Sequence, residues 1–302
     1  MNKSEYFAKP SVGIIILNWN DYDDTSSCLE SVQKTNYPNF TVYVVDNGST
    51  DDSLSRLKNE FGWCKFIENE TNLGFAGGCN SGITAALSDN CQYVLLLNND
   101  TIVDEDFLQP LVKSAVSRER VAAVSGIIYH PGKSDVWFAG GELYPSLAKV
   151  NRITKIQSDS EYSTGWIISA LMLIDSEFIS EYGLLNDDYF FGSEDQELAH
   201  YANENNWSLI VNPNSEIVHK THSTSGDLNG FQFYHNTYNT IYFGNNHLVG
   251  LDRFIFYIYF ISHRFLFLMY SVSIWRWDLI RAMFRALMDY YTGTQRSATE
   301  LL

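Results

Sequence analysis

Asn98-Asn-Asp100 directly follows Tyr93-Val-Leu-Leu-Leu97, a short apolar run typical of a buried β-strand. A carboxylate flanked by side-chain amides at the end of such a strand suits a hard divalent cation. Mg²⁺ and Mn²⁺ take one or two protein oxygens and complete their coordination with water and substrate phosphates. Asparagine and aspartate also end strands simply because they form turns, which is the alternative interpretation of this motif.

Two earlier strands also lead into polar side chains. Asn18 and Asn20 follow the apolar run 12–17, and Asp46 ends the β-branched run 41–45. Because ligands of parallel α/β sheets bind beyond the carboxyl ends of the strands, Asp46 could accept hydrogen bonds from a nucleobase or ribose. The next two residues are Asn-Gly, a common turn pair, so a purely structural role is the alternative.

The glycine-rich segment Asn72-Leu-Gly-Phe-Ala-Gly-Gly-Cys-Asn80 would let the backbone approach a ligand closely. It contains neither the GxGxxG pattern of dinucleotide-binding folds nor the lysine of a P-loop. The segment therefore indicates close approach without specifying the ligand.

The segment Ser193-Glu-Asp-Gln196 has the spacing of a capping box, and it predicts a helix that runs to about Asn205. Asp195 would then lie in the first turn, where the helix dipole favours the ionised carboxylate that a general base needs. Acidic residues are also enriched in first turns for stability alone, and this is the alternative.

His219 ends a later apolar stretch, and His222 follows three residues on. Neutral imidazole is a common metal ligand, so either side chain is a candidate ligand. A lone histidine is nevertheless more often structural.

Apolar runs alternate with helix-compatible segments through the first hundred residues. Strands are predicted at 12–17, 41–45, 63–67 and 93–97, and helices at about 24–34, from 49–52 onward and over 78–88. This alternation predicts an α/β fold with a mostly parallel sheet and right-handed crossovers. The polar residues after the strands would then meet at one edge of the sheet.

The composition excludes several classes of protein. The 302 residues carry a formal net charge of −16 and are 45% hydrophobic, which suits one large or two ordinary globular domains and excludes a disordered chain. Such acidity excludes general nucleic-acid binding, although not a nucleotide ligand. The N-terminus lacks the apolar segment of a secretory signal, and the four cysteines have neither disulfide-framework nor zinc-site spacing, which predicts a cytoplasmic location.

Six short motifs occur in one order along residues 10–225. They are Leu17-Asn-Trp-Asn20, Val45-Asp-Asn-Gly-Ser-Thr-Asp51, Asn72-Leu-Gly-Phe-Ala-Gly-Gly78, Leu97-Asn-Asn-Asp-Thr101, Gly192-Ser-Glu-Asp195 and Val218-His219. This ordered set closely resembles the family-2 inverting glycosyltransferases with the glycosyltransferase-A fold, a Rossmann-like sheet flanked by helices. Within that family it looks most like the bacterial rhamnosyltransferases of surface polysaccharide and O-antigen biosynthesis.

The resemblance implies roles for the residues of the donor site. Asp46 would contact the nucleobase, with Asn18, Asn20 and the loop residues Asn72, Gly74 and Asn80 around the nucleoside. Asn98, Asn99 and Asp100 stand where the family has its D-x-D metal motif, so that Asn98 and Asn99 would face the nucleotide-sugar. The first acid of that motif is asparagine here, so metal binding would rest on Asp100 and His219.

The resemblance also implies the residues that carry the reaction. Asp195 matches the acid that acts as the base, and Trp166 and Glu194 would line the acceptor or sugar pocket. Ser169 occupies a position that is commonly glycine, which leaves the shape of that pocket open.

The implied reaction is metal-dependent, inverting transfer of a sugar to a saccharide or a polyprenyl-linked acceptor with Mg²⁺ or Mn²⁺. L-Rhamnose from dTDP-rhamnose is the donor that the subgroup implies, and a UDP-hexose is the alternative. A nucleotide-cofactor oxidoreductase and a non-catalytic nucleotide-sugar binder are the other hypotheses. The missing GxGxxG pattern disfavours the oxidoreductase, and the presence of Asp100 and Asp195 disfavours the non-catalytic binder.

Residues 226–302 differ in composition from the rest, and a domain boundary is predicted near residue 225. They hold 19 of the 45 aromatic side chains. Their apolar runs, 254–262 and 265–270, are divided by His263-Arg264, so no uninterrupted membrane-spanning run is predicted. Arginines beside interfacial aromatics favour a helix lying on the anionic inner face of the cell membrane. The alternative is a helical unit that packs on the catalytic domain or in a homo-oligomer.

Overall fold

The computed structural model describes residues 9–220 and 229–294. Its strands are β1 (Val12–Asn18), β2 (Phe40–Asp46), β3 (Lys65–Glu68), β4 (Tyr93–Leu97), β5 (Thr101–Val103), β6 (Val121–Tyr129), β7 (Val136–Phe138), β8 (Gly141–Tyr144), β9 (Lys149–Arg152), β10 (Tyr162–Ser163), β11 (Leu171–Asp175) and β12 (Ser208–His219). Its helices are α1 (Tyr22–Val32), α2 (Ser53–Glu60), α3 (Gly74–Ser88), α4 (Leu108–Val116), α5 (Ser176–Tyr182), α6 (Glu194–Glu204), α7 (Gly230–His247), α8 (Gly250–Ser273) and α9 (Trp277–Thr292).

The first four strands form a parallel sheet in the order β3-β2-β1-β4. Strands β1 and β4 are almost wholly buried, as expected where helices cover both faces of a parallel sheet. The register pairs Asn18 with Asp46, so the polar ends of β1 and β2 meet at one edge.

The sheet continues through β11, which runs antiparallel between β4 and β6, and then through β12 beside β6. The short strand β5 pairs antiparallel with β12 and places His219 opposite Thr101. This register brings His219 beside Asp100 although the two are far apart in sequence. The predicted α/β class, with a mostly parallel central sheet and a C-terminal helical segment, is confirmed.

The glycine-rich segment differs from its prediction, because α3 begins at Gly74 rather than at residue 78. A Cβ atom on Gly78 would lie 2.6 Å from Leu17 Cδ1, and one on Gly82 would lie 2.5 Å from Ile15 Cγ2. Gly78 and, further along the helix, Gly82 therefore let α3 pack closely on β1.

Helices α7, α8 and α9 form apolar clusters of their own. One cluster is centred on Phe233, Tyr234 and Met283, and the other on Phe243, Phe256 and Phe260. The boundary predicted near residue 225, like the candidate ligand His222, lies outside the described residues.

Helix α8 is continuous over 24 residues and carries both apolar runs, with His263 and Arg264 between them. Arg264 turns inward and is only 7% exposed, whereas Ile261 and Phe265 lie on the exposed side of the helix. By length and composition alone, α8 is long and apolar enough to cross a bilayer. Only 22% of its most apolar 18-residue stretch is buried.

Candidate active site

Buried polar side chains cross-link the loops that follow β1 and β2. Asn18 Nδ2 donates to Asp46 Oδ1 at 2.9 Å, and Thr25 Oγ1 donates to Asn18 Oδ1 at 2.9 Å. The other carboxylate oxygen of Asp46 accepts from the backbone N–H of Ser49 at 3.0 Å. Asn18 is 0% and Asp46 is 3% exposed, so both predicted nucleotide-binding residues shape these loops from within.

Asn20 ties the same two loops together at the surface. Its backbone is left-handed, with φ of 53°. Its Oδ1 accepts from the backbone N–H groups of Thr50 at 2.7 Å and Asp51 at 3.3 Å. The exposed side chain thus fixes the loop after β2.

A cavity of about 460 Å³ opens beyond the ends of these strands. Of the predicted nucleotide-binding residues, Asn72, Gly74, Asn98 and Asn99 line it, whereas Asn18, Asn20, Asp46 and Asn80 do not. Most of its other walls were missed by sequence reasoning: Leu17, Trp19, Asp21, Asn47, Phe75, Phe190, Phe191, Asn229 and Phe231. Aromatic walls with a few polar groups are typical of a site that stacks a planar ring.

Asn47 organises the floor of this cavity, and its position directly after Asp46 was the signal that could have found it. Its Nδ2 donates to Gly74 O at 3.0 Å and to Asn72 Oδ1 at 3.0 Å. Gly74 has φ of +77°, and a Cβ atom there would lie 2.4 Å from Phe190 O. Glycine is therefore required where the two loops approach each other.

The structure does not bring Asn80 to the cavity, because both ends of its amide are used elsewhere. Its Nδ2 donates to Leu185 O at 2.8 Å, and its Oδ1 accepts from Leu185 N at 3.0 Å. This pair of hydrogen bonds ties α3 to the segment that leads into α6.

Asp100 and His219 form the candidate metal site. His219 Nε2 lies 2.8 Å from Asp100 Oδ1, and the amide Nδ2 of Asn98 lies 3.4 Å from the same ring nitrogen. The Trp137 ring packs edge-on against the imidazole with 4.6 Å between the centroids. The two predicted ligands thus converge next to Asn98, which lines the cavity.

Their geometry fits two adjacent ligands of one octahedral ion, whose donor atoms lie about 3 Å apart when each bond is about 2.1 Å. No cluster of three or more His, Cys, Asp or Glu side chains that could hold a metal occurs in residues 9–220 or 229–294. The described part of the protein would supply two ligands and leave the other positions to water and substrate oxygens, as is common for Mg²⁺ at phosphate groups.

Glu194 and Asp195 lie side by side at the start of α6. They are 4% and 8% exposed, respectively. Ser169 contacts both, because its Oγ donates to Glu194 Oε1 at 3.0 Å and its backbone N–H points to Asp195 Oδ2 at 3.4 Å. A serine at this position therefore adds a hydrogen bond to the first acid of the pair.

The predicted capping box is wrong, although α6 begins where the sequence predicts. Ser193 has a left-handed backbone with φ of 79°, and its side chain makes no capping hydrogen bond. A capping residue usually has an extended backbone, which the left-handed Ser193 lacks. Asp195 nevertheless lies in this turn, as predicted.

Burial raises the pKa of both carboxyl groups, because it disfavours their charged forms. The charge of Asp195 raises the pKa of Glu194 further. Trp166 and the backbone N–H groups of Ser169 and Gln196 act in the opposite direction on Asp195, because they favour its carboxylate. The pair is thus arranged so that Glu194 holds its proton more tightly and Asp195 ionises first.

Asp195 and Trp166 meet on a second cavity, of about 440 Å³. Gln196, Lys149 and, from α7, Asn236 also line it. Phe191 belongs to the walls of both cavities, so the two adjoin at this side chain.

The loop between the two cavities is held from both sides. Phe75 N donates to Phe190 O at 2.9 Å. From α7, Asn239 Nδ2 donates to Phe191 O at 3.0 Å and to Gly192 O at 2.7 Å. The C-terminal helices therefore help to position the start of α6.

The pKa of Glu194 makes a prediction about stability. A carboxyl group whose folded pKa is raised binds its proton more tightly when folded, so the free energy of unfolding falls as the pH rises above the unfolded value. Glu194→Gln removes this penalty and keeps the acceptor for Ser169. Relative to wild type, the variant should gain at least about 1 kcal/mol between pH 5 and 8, the equivalent of about one pKa unit.

Urea unfolding of both proteins across this pH range would measure the difference. Glu204→Gln, at the exposed end of the same helix, is the matched control and should follow the wild-type profile. A constant difference between Glu194→Gln and wild type at all pH values would contradict the raised pKa.

Residues 13–175 match the family model described as glycosyl transferase family 2. The poly-beta-1,6-N-acetyl-D-glucosamine synthase of Staphylococcus epidermidis is 26% identical over 129 residues, which cover 41% of this chain and 30% of that protein. The N-acetylglucosaminyl-diphospho-decaprenol L-rhamnosyltransferase of Mycobacterium tuberculosis is 22% identical over 220 residues, which cover 62% of this chain and 69% of that protein. The chain thus spans less than a third of the length of the first relative and about two thirds of the second.

Among solved structures, the mannosyltransferase from Pyrobaculum calidifontis in complex with GDP-Man and Mn²⁺ is similar with a TM-score of 0.59. The two share 18% sequence identity, and the match covers 97% of this chain and 79% of that one. At this identity the likeness shows the fold, which is the glycosyltransferase-A fold. Because the family model also matches more than half of the chain, the protein belongs to glycosyl transferase family 2.

Proposed function

We propose that this protein is a metal-dependent, inverting glycosyltransferase of cell-surface glycan synthesis. The observation that carries the proposal is the pairing of two adjoining cavities. Asn98, beside the Asp100–His219 pair, lines one of them, and the buried carboxyl group of Asp195 lines the other. A donor diphosphate near the first site and an acceptor hydroxyl near the second would meet beside Phe191.

The donor is a nucleotide-sugar, for which we propose dTDP-L-rhamnose and keep a UDP-hexose as the alternative. A relative named as an L-rhamnosyltransferase supports the first choice. The base would stack in the aromatic cavity, where Asn72, Gly74 and Asn99 offer polar contacts. Thermal-shift screening of dTDP- and UDP-sugars with Mn²⁺ tests this donor assignment, and an oxidoreductase would respond to NAD(P) instead.

The remaining predicted donor-site residues would act indirectly, by holding the loops that form the donor site. Asn18 and Asp46 hold the loop after β2, and Asn20 caps that loop at the surface. Asn80 holds the segment before α6. These side chains would position the donor site without touching the nucleotide.

Asp100 and His219 would hold Mg²⁺ or Mn²⁺ together with the donor diphosphate. The ion would act as a Lewis acid that stabilises the negative charge on the leaving group. Asp195 would accept the proton of the acceptor hydroxyl as it attacks the anomeric carbon from the opposite face. One carboxylate and one in-line displacement invert the configuration, so no second carboxylate nucleophile is required.

Glu194, being the more readily protonated acid, would remain neutral while Asp195 works. Trp166 would form a wall of the acceptor pocket and favour the ionised form of Asp195. The acceptor would be a glycan or a polyprenyl-linked saccharide at the inner face of the cell membrane.

Chelation of divalent cations should abolish sugar transfer, because Asp100 and the diphosphate would share the ion. Asp100→Ala should lower kcat by at least about a hundredfold, since such an ion supplies several kcal/mol. His219→Ala should lose less, because water can replace a neutral ligand. Release of nucleoside diphosphate measures this, with the exposed Asp135→Ala as control. Full activity in excess EDTA would rule the metal out.

Asp195→Asn keeps the shape of the side chain but cannot accept a proton. We expect kcat to fall by at least about 10²-fold with near-normal donor binding, the usual contribution of a general base. In the wild type, activity should fall on acidification at a pH above the ordinary aspartate range, because protonation inactivates the base and burial raises its pKa. Asp187→Asn, on an exposed side chain, is the control. More than about a tenth of wild-type kcat in Asp195→Asn would refute the assignment.

The outer face of α8 leads us to expect binding to anionic membranes. Ile258, Ile261 and Phe265 are 54%, 63% and 59% exposed, and arginines of α9 follow in the chain. Co-sedimentation with anionic liposomes should be strong at low salt and weaker at high salt. Ile261→Ser with Phe265→Ser should reduce it, whereas Val116→Ser, equally exposed on α4, should not. A full-length protein that ignores anionic liposomes at low salt would show that this face has another use.

A further inference from the structure

A small cavity of about 190 Å³ lies between α7, α8 and the connection that precedes β9. Its basic walls are Lys149, His263 and Arg264. Tyr259 also lines it, and no aspartate or glutamate does so within the described residues. This is unusual in a chain with a formal net charge of −16. The cavity therefore concentrates positive charge in a protein that is acidic as a whole.

Arg264 is the buried and most firmly held cationic side chain of this cavity. Its side chain is only 7% exposed, and within the described residues it forms no ion pair. Its Nη2 donates to Asn236 Oδ1 at 3.0 Å and contacts Thr240 Oγ1 at 3.5 Å, whereas the buried Nε has no hydrogen-bond partner among those residues. The rings of Phe233 and Phe260 lie 5.1 and 5.2 Å from the guanidinium.

A buried guanidinium without a carboxylate is costly, because burial removes its hydration. That cost lowers the pKa of Arg264 to about 10. Burial lowers the pKa of His263, and the positive charges of Arg264 and Lys149 lower it further. An anion bound in the cavity would stabilise the positive charge of all three side chains.

This cavity adjoins the one that Asp195 lines. The two share Lys149, Asn236 and Thr240 as walls. On its other side, His263 and Tyr259 belong to α8, whose neighbouring Ile258 and Ile261 are exposed and apolar. The order along this path is thus a carboxylate, a cationic cavity and an apolar helix face.

We propose that Lys149, His263 and Arg264 bind the phosphate or diphosphate of a lipid-linked acceptor. The sugar of that acceptor then reaches towards Asp195, and its hydrocarbon chain lies along α8. Arg264 provides a planar, fixed donor set that suits a phosphate group, and Lys149 and His263 complete it at the rim. The inference rests on the proposed function and names the acceptor class of its second cavity.

The test is calorimetric titration of the full chain with farnesyl diphosphate and with inorganic pyrophosphate, in EDTA. The chelator removes the ion that would hold a diphosphate at Asp100. We expect farnesyl diphosphate to bind at least about tenfold more tightly than pyrophosphate, because the prenyl chain adds apolar contacts. Farnesol, which lacks the charge, should bind at least about tenfold more weakly than farnesyl diphosphate.

The variant Lys149→Gln/His263→Gln changes two exposed side chains and should keep the fold. It should weaken farnesyl diphosphate binding by at least about tenfold. Lys34→Gln, an exposed lysine after α1, is the charge-matched control and should bind like wild type. Arg264→Gln should weaken binding further in protein whose circular dichroism shows it to be folded.

Three results would overturn the inference. The double variant could bind farnesyl diphosphate like wild type, or farnesol could bind as tightly as the diphosphate. Pyrophosphate could also bind as tightly as farnesyl diphosphate, which would identify a free anion as the ligand.

Failure of this inference is distinguishable from failure of the proposed function, because the binding assay contains neither donor nor metal. A wild type that hydrolyses donor but binds farnesyl diphosphate no better than the double variant would reject the acceptor site alone. A wild type that binds it through Lys149 and His263 but never turns over a donor would reject the transferase mechanism alone.

Discussion

The carbonyl groups of three consecutive residues, Phe190, Phe191 and Gly192, are held by donors from opposite sides of the protein. α3 supplies the backbone N–H of Phe75, and α7 supplies the amide of Asn239. An irregular loop has no backbone ladder of its own, so these bonds determine its path. That path forms the wall between the two cavities and sets where α6 begins. The donor cavity, the Asp195 carboxylate and the C-terminal helices are therefore positioned relative to one another by the same few hydrogen bonds.

The protonation and charge of the buried side chains around the two cavities depend on the free-energy cost of burying charge. Two carboxyl groups lie side by side at the start of α6, where burial makes the first proton hard to remove from Glu194 and the helix N-terminus favours charge on Asp195. At the far end of the adjoining cavities, Arg264 is buried without a carboxylate among the described residues. A substrate that carries a hydroxyl at one end and a phosphate at the other matches this distribution.

Much of the donor half could be predicted from the sequence, because its signals are local. Apolar runs marked β1, β2 and β4, and polar residues at their ends marked the edge of the sheet where Asn98 and Asn99 line a cavity. Local signals failed where a residue had two uses. Asn80 was expected near a ligand but fastens Leu185, and Ser193 was expected to cap α6 but adopts a left-handed conformation. The local sequence could not distinguish the two roles, because the same polar side chain can serve in either.

By itself, the sequence determined the α/β class, the order of the motifs and the identity of Asp195 as a first-turn acid, because hydrophobic period and strand-end residues act over a few positions. The meeting of His219 with Asp100 depends on the antiparallel register of β5 and β12, and the inward direction of Arg264 depends on how α8 packs. Both arise from the three-dimensional fold. The fold also brings Phe231 and Asn236 of α7 to the two cavities, whose other walls come mostly from the first 220 residues. Such contacts join residues far apart in the chain, and their free energy depends on register and packing that no short segment encodes.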